Sequence, residues 1–134
     1  MTRENTPRER ADDIVEIDDD AAAVPDPDAL FRALSVSVRR RCLTYLLAES
    51  ETTTDGLADV LAGWRSTTEG VVGPDERTQI EVELRHVHLP LLASARLVEY
   101  DSATGTVRLA DVPQSVRDIV RYARQYERAV EDRQ

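Results

Sequence analysis

The chain has 134 residues, 41% of them apolar and 32% charged, which suffices for one folded core with appendages. Its formal net charge is −9, and all 17 basic residues are arginine. A single cysteine excludes an intramolecular disulfide, no apolar run approaches the length of a bilayer span, and no apolar leader follows the charged N-terminus, so a soluble, cytoplasmic protein is expected.

Lysine is ordinarily among the commonest residues. A GC-rich genome exchanges it for arginine but does not explain the acidic excess, which is the surface chemistry expected of an extreme halophile. The charge is uneven. Residues 1–28 hold ten acids and three arginines, a net of −7, which leaves −2 for the rest. Residues 1–25 have few apolar anchors, the run Asp18-Asp19-Asp20, and prolines at 7 and 25, and are expected to form a disordered acidic tail.

Asp26 and Pro27 suit the N-cap and first position of a short helix carrying Leu30, Phe31 and Leu34. Ser35 or Ser37 is expected to cap a second helix with Val38, Cys42, Leu43, Leu46 and Leu47 on one stripe. Arg39, Arg40 and Arg41 fan around it, so at least one must turn inward and bridge to a carboxylate or a backbone carbonyl. Cys42 reads as a small buried hydrophobe. Thr52 to Asp55 reads as a polar turn and cap before a third helix with Leu57, Ala58, Leu61 and Trp64, and residues 65–74 as a flexible connection.

Pro74 and Asp75 start a long helix in which Ile80, Leu84, Val87, Leu91 and Ala95 recur at helical spacing, widened by Leu89 and Leu92. Pro90 cannot donate a backbone hydrogen bond, which predicts a kink or break just before it. From Leu97 the period becomes two. Val98 and Tyr100 alternate with acids, Val107 and Leu109 alternate with Thr106 and Arg108, and Ser102 to Gly105 forms the turn of a hairpin. Pro113 opens a last helix with Val116, Ile119, Val120, Ala123, Tyr126 and Val130 on one face.

The expected fold is mainly α with a small β-hairpin: a winged helix-turn-helix over 26–112, with an additional C-terminal helix over 113–134. Its core is expected around Leu34, Leu43, Leu46, Leu57, Leu61, Leu84, Leu89, Leu92, Leu97 and Val107. The last helix carries more apolar surface than a small core needs, with Tyr122 and Tyr126 near its stripe, which predicts a homodimer through that helix.

Leu30-Phe31-Arg32-Ala33-Leu34-Ser35, followed by Arg39-Arg40-Arg41-Cys42-Leu43, resembles the opening of ArsR-like regulators, and His88-Leu89, Leu92 and Ala95 before Leu97-Val98 resemble their recognition-helix exit. Arg85-His86-Val87-His88-Leu89-Pro90 resembles the signature of a haloarchaeal winged-helix domain family without an assigned role. The resemblance covers about residues 28–110. Two positions depart from it: Arg96 stands where the ArsR-like pattern has glycine, and the stretch from Trp64 to Asp75 is longer than the usual turn, loosening the helix pair.

The resemblance implies a DNA-binding transcriptional regulator; the alternative is a winged-helix protein-interaction module without DNA binding. The expected DNA-contacting residues are Gln79, Arg85 and His86 on the recognition helix, with Arg85 able to grip guanine, and Arg108 on the wing against phosphate or the minor groove. Glu81 and Glu83 on the same helix count against a DNA face. A basic groove-facing surface would favour the regulator, and a carboxylate-lined helix the interaction module. His86 and His88 point roughly 200° apart on a helix and cannot share a metal ion without further ligands, so no metal site is expected. No glycine-rich phosphate loop or nucleophile–base spacing stands out, so neither an enzyme nor a cofactor is expected.

Overall fold

The computed structural model describes residues 23–133. The expected tail therefore lies outside the described residues except for its end, where Pro25 is buried and the Ala23 N–H donates to the Asp111 carbonyl at 2.9 Å.

Helix α1 spans Pro27–Ala33, and the Asp26 carboxylate caps it by accepting from the backbone N–H groups of Asp28 (3.1 Å) and Ala29 (3.3 Å). Helix α2 spans Ser37–Glu49. Neither expected serine caps it: Val36 holds the N-cap position without a side-chain bond, and Ser35 Oγ instead donates to the Arg32 carbonyl at 2.7 Å. The end of α1 draws in both neighbouring donors. Arg39, only 5% exposed, sends Nε to the Ala33 carbonyl and Nη2 to the Arg32 carbonyl, both at 2.9 Å. It is the inward-turned arginine that the triplet required, and it satisfies carbonyls that the helix end leaves open.

Thr52 and its neighbours are more than a turn. Glu51–Thr53 form strand β1, and Thr53 Oγ1 then caps helix α3 by accepting from the Gly56 N–H at 3.0 Å. Helix α3 runs from Thr54 to Glu69, so the expected flexible connection is largely helical. Ser66, Thr67 and Thr68 donate their hydroxyls to the carbonyls three residues back, which lets a run of loop-favouring residues continue the helix. Only residues 70–73 separate α3 from helix α4, Pro74–Glu83, whose start is fixed by Glu76 Oε1 accepting from the Gly73 N–H at 2.9 Å. The expected loosening of this helix pair is thus overturned. Arg77 clasps it, donating to Asp55 (2.9 Å) and Asp59 (2.8 Å) on α3.

The predicted break before Pro90 takes the form of a π-helical turn, Leu84–His88, in which the Leu89 N–H reaches back to the Leu84 carbonyl. The wide turn fits a proline that has no N–H for the next bond and whose ring would press on the preceding turn. The extra residue displaces Val87 from the expected apolar stripe and leaves it half exposed, while Leu84 and Leu89 are fully buried. Helix α5, Leu89–Ser94, completes the segment and ends in a left-handed residue, Arg96, at φ 65°. The Leu97 N–H closes back on the Leu92 carbonyl at 3.0 Å.

The expected hairpin is present as strands β2 (Val98–Asp101) and β3 (Thr106–Leu109), with Gly105 at φ 79° closing the turn. β1 adds a third antiparallel strand on the other side of β3, in the order β1-β3-β2, with Val107 facing both Thr52 and Tyr100. Helix α6, Gln114–Glu131, packs along α2. All ten expected core side chains are buried. The molecule is mainly helical with a small sheet and a C-terminal helix, in winged-helix order. No helix among the described residues is long and apolar enough to cross a membrane.

Candidate functional site

The four residues expected at a DNA face all lie on the outer surface, but the polar groups reach for carboxylates of their own helix or wing. Gln79 Nε2 donates to Glu83 Oε2 at 3.1 Å, and Arg85 Nη2 donates to Glu81 Oε2 at 2.8 Å, so both side chains lie along the helix rather than away from it. Glu81 also receives Arg77 Nη1 at 3.3 Å. Arg108 Nε donates to Glu99 Oε1 at 3.2 Å across the paired strands of the wing. The hydrogen bond to Glu81 raises the Arg85 pKa further above an already high value. His86 is exposed, with no side-chain hydrogen bond or ion pair among the described residues.

The helix pair and wing together, residues 54–110, hold nine carboxylates against five arginines. The segment as a whole is therefore acidic. Thr78, Gln79, Val82 and His86 form an uncharged exposed row on α4 and the π turn, beside exposed Asp75, Glu76 and Arg85.

His88 behaves differently from His86. It is half-buried, and its Nδ1 stands 3.3 Å from Arg39 Nη1. Burial, and then the neighbouring guanidinium, lowers the His88 pKa, so the ring is neutral with Nδ1 as acceptor. The two histidines thus serve separate surroundings. Cys42 is a packing residue as expected, its thiol pushed up to about 12 by burial.

A second surface lies on the opposite side of α2. The C-terminal half of α6 is held there by a forked ion pair, Arg40 Nε to Glu127 Oε1 (2.9 Å) and Arg40 Nη2 to Glu127 Oε2 (3.0 Å), while Arg40 Nη1 donates to the Leu34 carbonyl at 2.7 Å. The hydrogen bonds from Arg40 lower the Glu127 pKa and raise that of Arg40. Beside this pair lies an open cleft of about 460 Å³ lined by Leu34, Ala123, Tyr126 and Val130. Val116 and Val120 bury the first half of the α6 stripe, but the second half is uncovered. Tyr122 is 70% exposed, Tyr126 66%, and Phe31, on the Leu34 side of α1, 60%. The exposure of Phe31 was hidden from the sequence, where it reads as part of an ordinary apolar stripe.

Residues 31–108, from α1 to the end of β3, match a family model described as Domain of unknown function (DUF7344). The chain belongs to this family. Comparison with curated proteins and with solved structures gives no match. The DUF7344 match takes in both helices of the α3–α4 pair and the wing, and stops before α6, so the cleft joins a family element, α1, to one beyond the matched residues.

Proposed function

We propose that this DUF7344 protein is a winged-helix protein-interaction module that pairs with a second copy of itself through α1 and α6. The observation that carries this reading is the uncovered aromatic face. The chain has only one Phe, one Trp and four Tyr, and three of these six rings stand exposed: Tyr126 lining the open cleft, Tyr122 one turn before it on α6, and Phe31 on α1, just before Leu34, which lines the same cleft. Light scattering is expected to give a dimer at about 100 μM, and Tyr126→Asp a monomer of unchanged helicity, since a charge in a desolvated contact costs several kcal/mol, or roughly 100-fold or more in affinity. A monomeric wild-type protein at that concentration would overturn the reading.

A second reading, an ArsR-like DNA-binding regulator, is favoured by the uncharged exposed row of Thr78, Gln79, Val82 and His86 next to the wing. Exposed ion pairs such as Arg85–Glu81 and Arg108–Glu99 are worth about 0–1 kcal/mol, so either arginine could exchange its carboxylate for a base or a phosphate at small cost. On this reading Arg85→Ala weakens specific binding by roughly 1–3 kcal/mol, whereas Arg108→Ala weakens all sequences alike. Fluorescence anisotropy with the gene's own promoter, across a potassium chloride series, separates the two. Absence of binding at every salt concentration leaves the interaction module alone. Both readings take the chain as a cytoplasmic protein of a salt-adapted cell, on the strength of its lysine-free, acid-rich composition.

A further inference from the structure

We propose that the junction of α2, α3 and α6 binds a monovalent anion of the halide class, with Arg41, Trp64 and Arg124 as its hydrogen-bond donors. The Arg41 guanidinium lies over the Trp64 ring, 4.3 Å from its centre. Three N–H groups at this junction, Arg41 Nε, Trp64 Nε1 and Arg124 Nη1, are buried without an acceptor among the described residues. A buried donor left unpaired is costly, and native structures keep few of them.

The neighbouring carboxylates do not meet this need. Glu127 is engaged by the fork of Arg40 at 2.9 and 3.0 Å, and its Oε1 stands 3.8 Å from Arg124 Nη1. Glu131 lies 3.9 Å from Arg41 Nη2 and 3.7 Å from Arg124 Nη1, beyond hydrogen-bond reach of either. Three guanidiniums, those of Arg40, Arg41 and Arg124, thus face two carboxylates, and one positive charge is left over. Burial, followed by the charge of Arg124, lowers the Arg41 pKa, as expected for a cation short of counter-charge. All three open groups are donors. A water molecule would accept from them but bring two protons of its own into a donor-rich site, whereas a halide accepts from all three and cancels the surplus charge.

Trp64 is the only tryptophan, so its emission reports on this site alone. Bromide, titrated into the full chain against potassium gluconate at constant ionic strength, is expected to quench Trp64 saturably, and chloride to reverse the quenching. The Tm should be higher in chloride than in gluconate. Arg124→Ala is expected to weaken bromide about ten-fold, the loss of one charge-assisted hydrogen bond. Trp64→Phe keeps a stacked ring but no N–H, and should lose part of the chloride-dependent gain in Tm while remaining folded. An anomalous-scattering map from bromide-soaked crystals gives a readout independent of any variant, with a peak expected within hydrogen-bond distance of the three donors. Linear, unsaturable quenching with equal Tm in both salts would overturn the proposal. So would water alone at the three donors in that map.

Discussion

Arg96 is the residue most visibly at odds with its own backbone. It holds φ 65°, a left-handed conformation that costs a side-chain-bearing residue on the order of 1 kcal/mol, and it makes no ion pair or side-chain hydrogen bond among the described residues. Arg96→Gly therefore relieves strain and removes no ion pair or side-chain hydrogen bond. It should stabilise the protein by about 1 kcal/mol in urea denaturation, less the greater freedom that glycine gives the unfolded chain. His88 carries a different sign. Its pKa is lowered by burial and by Arg39, so the unfolded chain binds the proton more readily than the folded one. This stabilisation is complete above the ordinary histidine value of about 6.5 and is lost as pH falls below it. His88→Asn, which still offers Arg39 an acceptor, is expected to flatten the stability profile as pH falls below about 6.5. An unchanged slope there would show that the proton goes elsewhere.

At the scale of elements, Thr53 joins sheet to helix: it ends β1, opposite Thr106, and caps α3 through Gly56. Thr53→Ala should cost about 1 kcal/mol through the lost cap, seen as a lower Tm with the spectrum of the folded state retained. The helices with strong apolar periods were legible because their leucines repeat at local spacings, as was the hairpin, where the period changes at Leu97. β1 was not. It is three polar residues whose partner, β3, lies more than fifty residues downstream, and nothing local announces such a pairing. The far half of α3 was missed for a related reason: Ser66, Thr67 and Thr68 favour loops until their hydroxyls bond back onto the helix itself.

For the whole molecule, the site was less legible than the fold because its character depends on pairings between distant residues. Arg40 and Glu127 are 87 positions apart, and only the fold reveals that they tie the C-terminal half of α6 to α2. Gln79, Arg85 and Arg108 were correctly placed at the surface by periodicity, but the carboxylates they touch decide what that surface offers. Net charge acts at this scale too. A chain at −9 repels itself, and salt screens that repulsion more than it weakens short, partly buried pairs such as Arg40–Glu127. The Tm is expected to rise steadily from low salt towards molar potassium gluconate. A falling Tm would mean that ion pairs, rather than self-repulsion, dominate the balance.

The π-helical turn gives the chain a means of aiming one half of a helix independently of the other. One residue added to an α-helix rotates everything before it by about 100° relative to everything after. Leu89 and Leu92 anchor the later half in the core, Ile80 and the Arg77 clasp hold α4 against α3, and the change of direction between the two halves is taken up at Leu84–His88. Pro90 keeps the turn wide. The identity of the residue at 90 thus bears on which way Thr78, Gln79 and Val82, two and more turns upstream, look outward.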